Sequence, residues 1–188
     1  MKKTILVSVV SLLFMFALAS IAWTFQNEPE GFRGIKWGDP LGEDMIFYAK
    51  TEGNDDLLWY KKENDKMQIG EAKLKKIIYG FYKSRFMEVR IEADECRDRD
   101  SLEDVVKLKF GDGKESINWT NGIVTLYEYE WSGNIATVIL WRIPFTLQIR
   151  STKIRDENEE DARRKEEEKR HRKEEERRKA AEEGLDDF

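Results

Sequence analysis

Residues 73–93 read KLKKIIYGFYKSRFMEVRIEA, and this stretch decides the fold class. Its second limb alternates, with Met87, Val89, Ile91 and Ala93 on one side and Phe86, Glu88, Arg90 and Glu92 on the other. A period of two is typical of a strand with one face in the core and one in water. The first limb, residues 74–82, contains Gly80, which predicts a bulge. With Lys83-Ser84 as its tip, the stretch predicts an antiparallel hairpin.

Two short helices are predicted, each in front of a set of strands. Asp39-Pro40 has the form of an N-cap followed by a first-turn proline, so a helix is expected to end near Lys50. Ser101 and Asp104 have the spacing of a capping box, with a helix expected up to Gly111. Strands are expected at residues 57–62, 74–82, 86–93, 123–131, 135–142 and 145–150. The predicted fold class is α+β, with two helix-plus-three-strand units forming an antiparallel sheet that carries the helices on one face.

The C-terminal segment, residues 155–188, is almost entirely charged. It contains 11 Lys or Arg and 15 Asp or Glu residues. Residues 156–183 lack Gly, Pro and any heptad of apolar residues, so a long solvated helix is predicted rather than a coiled coil. Seven acid-first i,i+4 pairs, Asp161–Lys165 among them, are expected to stabilise this helix. The helix is interpreted as a solubilising appendage, a spacer or a docking arm.

The N-terminus predicts export. Lys2 and Lys3 precede an uncharged, mostly apolar run that reaches Trp23, with small residues near Ala19 and Ala22. This is typical of a signal peptide, and the run is also long enough for an uncleaved anchor. The expected domains are residues 1–26 as signal peptide or N-terminal membrane anchor, 27–154 as the α+β domain and 155–188 as the charged helical tail. The expected location is periplasmic or secreted, or inner-membrane anchored if the segment is retained.

Composition argues against several functions. The net charge is −5 and no basic stripe occurs in the body of the chain, which argues against nucleic acid as a ligand. His171 is the sole histidine and lies in the charged tail, so a serine triad or a histidine metal site is not expected. Cys96 is the sole cysteine, which excludes an internal disulfide and leaves burial or a cross-link between chains open. Neither a cofactor nor a metal is predicted.

Some stretches resemble a group of known proteins. They are Gly31 to Gly38 (GFRGIKWG), Tyr79 and Phe81-Tyr82 with Arg85-Phe86, and Phe110-Gly111. This combination resembles small secreted Gram-negative proteins without an assigned function. Their layout is similar to the β-lactamase-inhibitor-like and outer-membrane-assembly lipoprotein folds. The resemblance implies a helix-plus-sheet module that binds other proteins, although no cysteine for lipidation follows the apolar run.

The hairpin face opposite the predicted core is the candidate binding surface. The candidate residues are Tyr82, Arg85, Phe86, Glu88, Arg90 and Glu92, together with Glu128 and Glu130 if both halves form one sheet. Aromatic and arginine side chains are frequent anchors of protein interfaces. The predicted function is therefore an exported, non-enzymatic module that binds another envelope protein. The alternative is a small envelope glycan-binding protein or a carboxylate-dependent hydrolase.

Overall fold

A computed structural model describes residues 25–120, 124–143 and 145–183; of residues 117–120 and 124–127 only the backbone is described. All but the last two residues of the expected signal peptide or anchor, 1–26, lie outside this part of the chain. Among the helices within it, none has the length and apolar character needed to cross a membrane.

The described chain is a mixed α+β structure. Its strands are β1 (Gly31–Phe32), β2 (Ile35–Lys36), β3 (Met45–Thr51), β4 (Asn54–Lys62), β5 (Gln68–Ile69), β6 (Ala72–Tyr82), β7 (Arg85–Ala93), β8 (Lys114–Thr120), β9 (Val124–Ser132), β10 (Ala136–Arg142) and β11 (Phe145–Ser151). Its helices are α1 (Cys96–Phe110) and α2 (Thr152–Glu183). β1 and β2 form a small hairpin of their own.

The other nine strands form one antiparallel sheet. Its order is β3-β4-β6-β7-β11-β10-β9-β8, and β5 pairs separately with β6. The predicted β6–β7 hairpin lies at the centre of this sheet, and its turn residues Lys83 and Ser84 both have positive φ. That backbone twist suits a two-residue hairpin turn. Pairing of β7 with β11 joins the two halves of the domain into one sheet.

One face of the sheet carries the main core. Side chains from β6, β7, β10 and β11 bury together with Leu102, Val106 and Phe110 of α1. Tyr79, Val89, Ile91 and Leu140 are completely inaccessible to solvent there. We call this the core face, and α1 is the helix that packs on it.

The first predicted helix is wrong. Residues 45–51 form strand β3, and the structure shows one short helix, so the two helix-plus-three-strand units are not confirmed. The Asp39 carboxylate accepts a hydrogen bond from the Lys36 amide, the Asp39 carbonyl accepts one from Phe86, and Pro40 bridges Arg85. These residues therefore hold the chain against the hairpin rather than begin a helix. A run of Ile, Phe and Tyr also fits a pleated surface well.

The second predicted helix exists but begins earlier. Glu95 is the N-cap of α1, and Asp98 completes the capping box in place of Ser101 and Asp104. Asp98 also accepts a hydrogen bond from the Lys73 amide, which lowers its pKa and fixes the helix to β6. Cys96, the first residue of α1, is exposed, which decides against burial, one of the two alternatives that the sequence left open.

Candidate functional site

The surface of the sheet opposite α1 is the candidate site, and we call it the open face. Strand register places its side chains in three rows that cross the sheet. The rows are Thr137, Arg150, Glu88, Gly80 and Trp59; Ile139, Gln148, Arg90 and Ile78; and Glu128, Trp141, Thr146, Glu92 and Lys76. Residues from both halves of the domain therefore share this face.

Glu88 is the most buried acid of the open face, with 2% of its surface exposed. Its carboxylate accepts hydrogen bonds from Arg90 at 3.0 Å and from the amide of Gln148. Burial raises the pKa of Glu88, and the charges of Arg90 and Arg150 counteract that rise. Burial likewise lowers the pKa of Arg150, and Arg155 adds to this effect. The arrangement is a charge network in which each oxygen of the Glu88 carboxylate accepts a hydrogen bond from a protein partner.

Arg90 lies at the centre of the open face. Its guanidinium stands 4.3 Å from the ring centre of Trp59, a cation–π contact, and its Nε has no hydrogen-bond partner among the described residues. Beside it is a cleft of about 320 Å³, lined by Arg90, Trp141, Ile143 and Thr146. Ile143 is 58% exposed at the mouth of this cleft. An arginine, a tryptophan and an exposed aliphatic side chain around a small cleft are typical of the anchor points of protein interfaces.

Helix α2 covers one end of the open face. Ile154 buries its side chain with Leu57, Trp59, Ile78, Tyr82 and Met87, which we call the end cluster. Beyond Ile154 the contacts are polar. The Tyr82 hydroxyl donates to Asp161 at 2.5 Å, Arg85 donates to Glu157 at 2.6 Å and Lys165 donates to Asp56 at 2.6 Å. From Glu166 onward α2 is exposed on all sides.

Asp161 is the main polar contact of α2 with the sheet. Lys83 and Tyr82 both donate hydrogen bonds to its carboxylate and hold its pKa well below the usual range. The pKa of Tyr82 is raised by burial and by its hydrogen bond to Asp161. The predicted Asp161–Lys165 pair is therefore replaced by contacts to the sheet. The i,i+4 ion pairs seen along described α2 are base-first, Arg155–Glu159 and Arg178–Glu182, not the acid-first pairs that the sequence predicts.

The structure places the predicted binding residues in three environments. Glu88, Arg90, Glu92, Glu128 and Glu130 lie on the open face, as register shows. Tyr82 and Arg85 lie under α2, where Tyr82 is 1% exposed. Phe86 is fully buried on the core face, so its expected exposure is wrong.

A bulge explains the position of Phe86. Gly80 pairs with Glu88, whereas Phe81 pairs with Phe86, so Met87 is an extra residue in β7. The bulge reverses the alternation, sending Phe86 to the core face and Met87 to the end cluster. The binding role of the eight predicted residues stays a prediction. Tyr82, Glu88 and Phe86 cannot contact a partner directly, because all three are buried.

Sequence reasoning missed several residues of the open face. Trp141, Ile143 and Thr146 line the cleft and Trp59 contacts Arg90, and none of these four residues was predicted to belong to a site. The alternation in residues 145–150 could have placed Thr146 and Gln148 on one side. It could not show that this side adjoins Arg90, because that contact depends on the pairing of β11 with β7.

In the described ranges no group of three or more His, Cys, Asp or Glu side chains is arranged to hold a metal ion.

Comparison with known proteins does not assign a family. No protein-family model, curated protein or solved structure matches this chain.

Proposed function

We propose that this chain is an exported, non-enzymatic module that binds another envelope protein through the open face. The observation that carries the proposal is the grouping of Arg90, Trp141 and Ile143 around a cleft on a sheet face that α1 does not cover. Tryptophan and arginine contribute most to binding energy when they lie near the centre of an interface. Glu92, Glu128 and Glu130 would form its polar rim.

The environments of the carboxylates of Glu88 and Glu103 favour a binding function over a catalytic one. Glu88 is occupied by Arg90 and Gln148, and Glu103 on the core-face side is bonded to Lys107 and Arg142. Burial tends to raise the pKa of Glu103, but the hydrogen bonds from Arg142 and Lys107 lower it overall. A general acid needs a raised pKa and access to a substrate. Glu103 lacks the raised pKa, and Glu88 lacks the access.

The proposed location rests on the leader sequence. Residues 1–26 carry the lysines, apolar run and small residues of an export signal or anchor. Fractionation of cells, followed by N-terminal sequencing of the mature chain, tests this part. We expect the chain in the envelope or the medium, beginning near residue 20 or 23 if the signal is cleaved. Recovery in the cytosol with Met1 retained contradicts it.

Co-purification with a matched pair of variants tests binding. Arg90→Glu reverses a charge on the open face, whereas Arg97→Glu reverses an exposed charge on α1, on the other side of the sheet. We expect a partner that co-purifies with the wild-type chain and with Arg97→Glu but not with Arg90→Glu. Equal recovery with both variants, or no partner with any form, contradicts the proposal. Because Arg90 also pairs with the buried Glu88, thermal unfolding of both variants is measured, and only a variant that keeps the wild-type fold counts in this comparison.

A small envelope glycan-binding protein is the second candidate function. It is favoured by Trp141, whose ring lines the cleft beside Thr146 and could support a sugar. A glycan array probed with the wild-type chain, Trp141→Ala and Arg90→Glu separates the two functions. Glycan binding that depends on Trp141 and not on Arg90 supports this candidate. Binding of a protein that depends on Arg90 supports the first.

A further inference from the structure

Arg150 on β11 has no hydrogen-bond or ion-pair partner among the described residues. The residue is half-buried, and its Nε is shielded from solvent. A guanidinium carries five N–H donors, and buried donors in folded proteins are nearly always bonded. The donors of Arg150 are therefore available to an acceptor that comes from outside the described chain.

The acids around Arg150 are engaged with other groups. Three of them attract its charge, but none lies within ion-pair distance of it. Their partners are Arg90 and Gln148 for Glu88, Ser132 for Glu130 and Arg155 for Glu159. Burial and the charge of Arg155 together lower the pKa of Arg150 in spite of these acids. The described chain therefore compensates the positive charge of Arg150 only in part.

Arg90 lies beside Arg150 on the open face. Strand register sets Arg150 opposite Glu88 and Gln148 opposite Arg90, so the two arginines are diagonal neighbours on β11 and β7. Diagonal neighbours across a strand pair lie about 7–8 Å apart, within reach of long side chains. Arg90 donates one hydrogen bond to Glu88, its Nε is unbonded, and 43% of its side-chain surface is exposed. Two guanidiniums with unused donors therefore flank one buried carboxylate.

We propose that the partner presents an acidic side chain to Arg150 and Arg90. This inference rests on the proposed function and names the chemical group that the open face recognises. Arginine binds a carboxylate through two parallel hydrogen bonds, which are stronger than bonds between neutral groups. Arg90 also lines the cleft that Ile143 borders, and Ile143 is 58% exposed. A protein segment that carries an apolar side chain beside the carboxylate fits this surface better than a free anion does.

Selection from a library of random displayed peptides tests the proposal. Peptides enriched on the immobilised wild-type chain are synthesised, and their affinities are measured for wild type, Arg150→Gln, Arg150→Lys and Arg97→Gln. Arg97 is exposed on α1, on the other side of the sheet, and is the matched control. We expect an acidic residue in the enriched peptides and binding at least about tenfold weaker to Arg150→Gln, with Arg97→Gln unchanged. Arg150→Lys keeps the charge without the paired donors, so its loss should be intermediate.

A change on the peptide side completes the test. Replacing the acidic peptide residue by its amide should weaken binding to wild type by the same factor, and Arg150→Gln should then cost little more. This arm keeps the test decisive if Arg150→Gln fails to fold. Enriched peptides without acidic residues, equal binding to wild type and Arg150→Gln, or losses that simply add in the cycle overturn the inference. A library without enriched peptides, or binding of a uronic-acid oligosaccharide in their place, also overturns it. The proposed function is decided separately, by the co-purification with Arg90→Glu.

Discussion

Ile154 provides the most informative single perturbation of the fold. It is 5% exposed and is the only apolar side chain of α2 that buries against the sheet in the described chain. Replacing it with alanine removes the apolar part of the contact between α2 and the end cluster. The ion pairs that remain, such as Lys165–Asp56, lie near the surface. We therefore predict that Ile154→Ala releases the start of α2 from the sheet.

The expected loss of unfolding free energy in Ile154→Ala follows from the burial of this side chain. Truncating a buried isoleucine to alanine costs about 2–5 kcal/mol, and the lower half applies here because Ile154 lies at an end of the sheet. Alanine regains about 0.4 kcal/mol through its higher helix propensity. A loss of about 1.5–3 kcal/mol remains. Each surface ion pair contributes about 0–1 kcal/mol. Ile154 is therefore the largest apolar contribution to the docking of α2, beside the buried polar contact of Asp161.

Amide hydrogen exchange and denaturant unfolding measure this effect. We expect exchange across residues 152–165 to accelerate about 10-fold or more in Ile154→Ala. Leu108→Ala is the matched control, because it removes an isomeric side chain that is 87% exposed. Its cost should stay below about 0.5 kcal/mol. An Ile154→Ala chain with unchanged exchange and unchanged stability, or a control that loses as much, refutes this explanation of how α2 is held.

Three further outcomes follow from the contacts. Because Asp161 has a lowered pKa, its contribution to stability is complete above the ordinary carboxyl pKa and is lost as the pH falls toward the lowered value. Exchange protection of α2 should therefore hold from pH 7 to about 4 and fall below it, and Asp161→Asn should remove that fall. Gly80→Ala should cost about 1–3 kcal/mol in denaturant unfolding, because a Cβ there would lie 2.9 Å from Glu88 and 3.1 Å from Trp59. High salt should accelerate exchange in the docked part of α2 and leave the core strands unchanged, because near-surface ion pairs are screened; equal acceleration in both would contradict this.

The hairpin was predictable because its signal is local. Alternation in residues 86–93, with a turn at Lys83-Ser84 and a bulge marked by Gly80, indicated β6 and β7, and the structure confirms both strands. The bulge also explains the error at Phe86, because the sequence gives no sign of which β7 residue is the extra one. The prediction of a helix before Lys50 was wrong because the spacing of its apolar residues also suits a strand. Tertiary contacts of Asp39 and Pro40 with the hairpin favour the strand over the helix.

The site was only partly predictable because it depends on long-range pairing. The shared face of Glu88, Arg90 and Glu92 could be predicted from the alternation within one strand. The strand register also places Glu128 and Glu130 on this face, as expected. The cleft beside Arg90 needs β11 to insert between β7 and β10. That order brings Trp141 and Thr146 to Arg90 from more than 50 positions away in the chain.

The affinity of the purified partner for three forms of the chain tests the central claim most directly. Calorimetry or surface binding would compare wild type, Arg90→Glu and Arg97→Glu at one salt concentration. Loss of an interface anchor costs about 2 kcal/mol or more, so Arg90→Glu should bind about 30-fold more weakly, with Arg97→Glu unchanged. Equal dissociation constants for all three forms would contradict a binding role for the open face.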